Sequence, residues 1–159
     1  MNVVIVGCGR VGAFLAGMLD QGGHPVTVVD LQRSAFDRLP RGFSGTTILG
    51  SGTDLDVLRS AGIEKADAFL SLTQGDNRNL MAAQIAKELF RVSQVLAKCN
   101  DPVRAHTYRS RGIYTWSRTT ILGTLLHAIL TGNDDIGPKL MAETLRHDAE
   151  LAGDPVAKG

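Results

Sequence analysis

Apolar residues in this chain fall into short unbroken runs, separated by stretches where they recur every three or four positions. Val3 to Val6 is a β-branched run that reads as a strand buried on both faces. Ala13, Phe14, Leu15, Ala16, Met18 and Leu19 follow at helical spacing, and Gln21-Gly22-Gly23-His24-Pro25 stops that helix. The alternation then repeats. Further strands are predicted at Val26 to Val29, Thr46 to Leu49, Ala68 to Leu72, Val95 to Lys98 and Gly112 to Thr115. Helices are predicted at Ser34 to Leu39, Leu55 to Ala61, Leu80 to Phe90 and Val103 to Ser110. Strands alternating with helices over short connections give a parallel sheet wound on both faces, because each crossover returns the chain to the same end. The expected class is α/β, a Rossmann-like doubly wound parallel sheet of about six strands.

The last part has a different pattern. Ile121, Leu122, Leu125, Leu126, Ile129 and Leu130 form a wide apolar stripe on one helix. Gly132-Asn133-Asp134-Asp135 breaks it, and Ile136, Leu140, Met141 and Leu145 form a shorter amphipathic helix. The first helix has a place on the sheet; the second finds none left, so it is expected to contact another subunit. The expected divisions are a nucleotide-binding domain over 1–130, a dimerisation helix over 131–148 and a loose tail over 149–159.

The candidate chemistry lies between the first strand and its helix. Gly7-Cys8-Gly9-Arg10-Val11-Gly12 has the G-x-G-x-x-G spacing in the strand–turn–helix context that gives the pattern meaning. Gly7 permits the sharp turn, Gly9 lets a phosphate approach the backbone, and Gly12 lets the helix pack close to the sheet. Asp30, ending the second strand about 20 residues on, is placed to accept hydrogen bonds from ribose hydroxyls. The remaining polar groups leave the carboxyl ends of strands, where the ligand crevice of such a sheet lies. They are Ser51, Thr53, Asp54, Thr73, Gln74, Asp76, Asn77 and Lys98. Thr53, Asp54 and Asp76 read equally well as helix caps. Asp30 opposes a phosphate on the ribose 2′ position, and Arg33 either softens that exclusion or lies on an exposed helix face. NAD(H) is favoured because the fingerprint is the dinucleotide form; ATP and ADP stay open.

Composition adds bounds. With 159 residues, 43% hydrophobic and 21% charged, the chain suits one soluble domain. A net charge of +1 and no basic cluster give no argument for nucleic acid. Cys8 and Cys99 offer neither a disulfide framework nor metal-ligand spacing, so a reduced, cytoplasmic setting is expected. Neither a membrane-spanning run nor a signal peptide is expected.

With these residues laid out, the chain resembles the RCK or KTN domain, the TrkA N-terminal type of nucleotide-binding regulator in Trk and Ktr potassium uptake. The resemblance rests on G-C-G-R-V-G, G-H-P-V-T-V-V-D, G-S-G-T-D-L-D-V-L-R-S-A-G-I, A-D-A-F-L-S-L-T-Q-G-D-N-R-N, D-P-V-R and R-G-I-Y-T in that order. It implies a cytoplasmic subunit that binds an adenine nucleotide and self-associates as a dimer or ring beneath a membrane potassium-translocating subunit. It further implies Arg10 and Lys98 near the phosphates, Asp30 on the ribose, and Ser51, Gly52, Thr53 and Asp54 beside the adenine. Cys8, Val11, Leu31, Arg33, Thr73, Gln74 and Asn77 complete the expected binding set. Many members carry a second, C-terminal ligand domain, and the resemblance runs only to about Leu145.

The rival reading is a small NAD-dependent oxidoreductase or its cofactor domain. Hydride transfer needs groups that position a substrate and usually an acid or base at the nicotinamide. His24 lies at the far end of the sheet, and His106, His127 and His147 fall on helices. Cys8 reads as a small residue fitted to the turn, or as a redox thiol whose pKa falls at a helix N-terminus. Catalysis is therefore not expected.

Overall fold

A computed structural model gives the structure of residues 1–132, and contacts divide the chain into a unit Met1–Ser117 and a second beginning at Arg118. The helix expected over Ile136 to Leu145 and the tail after it lie outside the described residues.

The first unit runs β1 (Val3–Val6), α1 (Arg10–Gln21), β2 (Val26–Asp30), β3 (Thr46–Leu49), α2 (Leu55–Ser60) and β4 (Ala68–Ser71). It continues with α3 (Asp76–Gln84), β5 (Gln94–Lys98), α4 (Pro102–Arg109) and β6 (Tyr114–Trp116). The six strands form one sheet in the order β3-β2-β1-β4-β5-β6, and every neighbouring pair is parallel. This is the Rossmann-like doubly wound sheet that the alternation predicts.

Both faces are covered, which explains why β1 is apolar throughout. Val3, Ile5, Val26, Val28, Ala68 and Leu70 cluster with Ala13 and Ala16 of α1 on one face. Val4, Val6, Val29, Phe69, Val95 and Ala97 cluster with Leu58 of α2 and with Leu80 and Ala83 of α3 on the other. Each fully buried Val, Ile, Leu or Phe contributes about 1.5–3 kcal/mol, so the central strands anchor the fold.

Three elements differ from expectation at their edges. The helix expected after β2 is a tighter 3-10 turn over Arg33–Arg38. α3 starts at Asp76, because extended Gly75 is its N-cap, and passes into a π turn over Ile85–Leu89. β6 begins at Tyr114 because Gly112, at φ 75°, closes α4 in a left-handed conformation no strand accepts.

In the second unit, α5 (Arg118–Leu130) has no buried residue and leaves Ile121, Leu122, Leu126 and Leu130 exposed. Among the described residues no helix is long and apolar enough to cross a membrane.

Candidate functional site

Strand order reverses between β1 and β4, whose outgoing loops part there and open a crevice at the carboxyl ends of the strands. The crevice measures about 370 Å³ and is lined from the loops after β1, β2, β3 and β4.

Its floor is the β1–α1 turn. Gly7 has φ +105°, and a Cβ there would stand 3.0 Å from the backbone of Leu72 and Thr73. A Cβ on Gly12 would stand 2.0 Å from the Gly7 carbonyl oxygen, so α1 begins against its own entry loop. Gly9 is the opposite case. Its backbone is extended, at φ −77° and ψ −174°, and a Cβ there would meet no atom within 4 Å. Beside that open space, no side chain caps the α1 N-terminus, leaving its first N–H groups and positive dipole end for an anion.

Asp30 closes one side. Its Oδ2 accepts the Cys8 N–H at 2.7 Å and its Oδ1 accepts the Gln32 N–H at 2.9 Å. Each oxygen keeps a further lone pair for a ligand hydroxyl. The β3 exit loop is fixed beside it: the Gly50 N–H donates to the Asp30 carbonyl at 2.9 Å, and the Ser51 and Thr53 hydroxyls pair at 2.9 Å. Gly52 admits no side chain, since a Cβ would stand 2.2 Å from Val6 Cγ1.

The opposite wall is held from beneath by Asn79, a fully buried polar residue of α3. Its Oδ1 accepts the Thr73 N–H at 2.8 Å and the Thr73 hydroxyl at 2.7 Å. Its Nδ2 donates to the Thr73 and Lys98 carbonyls, each at 3.0 Å. Asp76 ties the same helix to the β5–α4 loop, accepting the Asn100 and Asp101 N–H groups at 2.9 and 3.1 Å. Asp76 therefore does not cap its own helix; it clamps a neighbouring loop.

Charge in the crevice is lopsided. Arg10, Arg38 and Arg78 line it against the single carboxylate of Asp30. That balance suits a ligand carrying more than one negative charge. Burial first, then the Asp30 carboxylate, push the Cys8 thiol up to about 11, while Arg38 pulls it the other way. The sequence alternative of a redox thiol with a lowered pKa is thus reversed by its surroundings. Cys8 stays protonated at neutral pH, and a thiol is a poor nucleophile.

The structure brings Gly7, Cys8, Gly9, Arg10, Asp30, Leu31, Ser51, Gly52, Thr53, Thr73 and Gln74 together around this crevice. Val11, Gly12, Arg33, Asp54, Asn77 and Lys98 are not among its lining residues. Each has a visible reason. Gly12 is spent on helix packing, and Val11 is an exposed residue of α1. Arg33 is exposed at the start of the 3-10 turn. Asp54 caps α2, accepting the Asp56 and Val57 N–H groups at 2.9 and 3.2 Å. The Asn77 side-chain oxygen accepts from Arg104, and Lys98 is buried at 5% exposure. Gln32, Ala35, Arg38, Arg78 and Ala82 line the crevice without having been singled out. Arg78 lies one residue beyond the loop read as the β4 exit; Arg38 gives no signal while its segment is taken for an ordinary helix.

The fold and the crevice define a Rossmann-like α/β module with an open cleft at its switch point. The TrkA-N domain family matches residues 3–117, and the chain belongs to that family. The Trk system potassium uptake protein TrkA of Streptomyces coelicolor is 46% identical over 131 residues, covering 79% of this chain and 59% of that protein. This chain thus spans less than two thirds of that relative's length. The TrkA-N domain of the Escherichia coli inner membrane protein ybaL has the same fold, with a TM-score of 0.73 and 18% identity, covering 81% of this chain and 96% of that one. The GsuK channel bound to NAD matches at a TM-score of 0.68 and 23% identity, over 85% of this chain and 24% of that one. GsuK is also known bound to ADP.

Proposed function

We propose that this chain binds an adenine nucleotide in the β1–β4 crevice, NAD(H) ahead of ATP or ADP, and acts as a regulatory part of a potassium channel or transporter. The observation that carries the reading is the open space at Gly9 beside an uncapped helix N-terminus, with Asp30 on one flank and arginines around it. A diphosphate fits that space and charge; Asp30 would take the ribose hydroxyls. A bound NAD would supply the adenosine and diphosphate that these residues hold. The names of the relatives, a potassium uptake protein and a channel known with NAD and ADP, point the same way.

Titration calorimetry with NADH, NAD, ATP and ADP tests the reading. Asp30→Ala is expected to weaken the best of these about 10- to 100-fold, since each ribose hydroxyl bond to a carboxylate is worth about 1.5–3 kcal/mol. Unchanged affinity would remove Asp30 from the site.

Regulation in this proposal works by differential binding: a nucleotide shifts subunit arrangement only by its preference for one arrangement over another. The exposed apolar side chains of α5, with the segment over 131–148, are the proposed contact between copies, at the inner face of the membrane beneath the translocating subunit. A dimer or larger species is expected by light scattering; a strict monomer at high concentration would sink the assembly part. Steady turnover of NADH with a small carbonyl compound would instead favour an oxidoreductase.

A further inference from the structure

We propose that Arg38 decides how this crevice treats a phosphate on the adenosine 2′ position, so that 2′-phosphorylated dinucleotides are accepted beside Asp30. This rests on the nucleotide reading above and goes on to the ligand class. From sequence, Asp30 opposes such a phosphate, because two negative charges would meet in a poorly solvated place, and Arg33 is the residue at hand to relieve it. The structure changes the residue. Both arginines are exposed, but Arg33 does not line the crevice, whereas Arg38, five positions on in the same 3-10 turn, does so together with Asp30, Leu31, Gln32 and Ala35.

The 3-10 geometry explains the exchange. Residues three apart eclipse one another in such a turn, so Arg38 stands over Ala35, which is buried and faces the crevice. Its Nη1 lies 3.5 Å from the Ala35 carbonyl oxygen, a long contact that leaves the rest of its N–H donors uncommitted to that group. Among the described residues Arg38 takes part in no ion pair with a carboxylate. Its field and that of Asp30 act in opposite directions on the same Cys8 thiol, so the two charges share one neighbourhood. The ribose end therefore carries a carboxylate and a guanidinium together. A guanidinium presents paired donors that match phosphate oxygens, and it can meet the charge that Asp30 repels.

NADH and NADPH differ only by the 2′-phosphate, so the ratio of their affinities isolates this contact. Fluorescence titration of the full chain is expected to give NADH and NADPH affinities within about tenfold of each other, a difference of about 1.4 kcal/mol. Arg38→Ala should weaken NADPH by about 10- to 30-fold more than it weakens NADH, as expected for one charge-assisted contact to the 2′-phosphate. Arg38→Lys should recover part of the loss, and Arg33→Ala should leave the ratio unchanged. The proposal is overturned if Arg38→Ala leaves the ratio alone, or weakens both ligands equally. It is also overturned if the unaltered chain rejects NADPH by more than about 100-fold. Binding of NADH with an unresponsive ratio refutes only the role of Arg38. Binding of neither ligand refutes the nucleotide reading and this proposal with it.

Discussion

Gly9→Val is expected to reduce NADH or ATP affinity by about 100-fold or more, which is about 2.7 kcal/mol of binding. The free protein should scarcely notice. Gly9 has extended backbone angles that any residue adopts, and a Cβ there meets nothing within 4 Å. The remaining cost is the poorer N-cap, about 1 kcal/mol, or roughly 3 °C in a chain of this size. The added methyl groups would occupy the space against the α1 N-terminus that a diphosphate needs. Calorimetry and thermal melts on the same sample check both halves. Retained affinity would mean that the nucleotide does not approach Gly9, and the site would have to be drawn elsewhere. A large fall in melting temperature would mean that the open space is illusory.

The second large effect is expected beneath the site. Asn79→Leu keeps the side-chain size but removes the amide that bonds the Thr73 N–H, the Thr73 carbonyl and the Lys98 carbonyl. A buried polar group left without a partner costs about 1–3 kcal/mol, so loss of this network should cost at least about 3 kcal/mol. The melting temperature should fall by about 10 °C or more. Because Thr73 lines the crevice, nucleotide affinity should fall as well in whatever fraction stays folded. Urea unfolding followed by circular dichroism measures the first effect. A midpoint close to that of the unaltered chain would show that the network contributes little.

These two residues mark how far sequence reasoning reached. The sheet was legible because β1 is an unbroken apolar run, the strands after it are rich in apolar and β-branched residues, and the crossovers leave glycine or turn residues at their mouths. Gly7, Gly9, Gly12 and Asp30 were legible because their chemistry depends on spacing along one strand–turn–helix unit. Asn79 was not: a polar residue on a helix looks solvated until tertiary packing encloses it among Thr73, Ser71 and Lys98. Asp54 and Asp76 were ambiguous for a related reason. A carboxylate at a strand exit serves equally as a cap or a ligand group, and it is tertiary packing that has Asp54 cap α2 while Asp76 holds another loop. The exchange of Arg33 for Arg38 came from the winding of one short turn, which no propensity fixes.

The Asp76 clamp has a mechanical consequence. Through it, and through Asn77 with Arg104, the first turn of α3 is bolted to the loop and helix that lead into β6. Arg78 sits on that same turn, at the rim of the crevice. Any tug on Arg78 is therefore shared at once with α4, so a ligand held at the crevice rim bears on the far edge of the sheet as well.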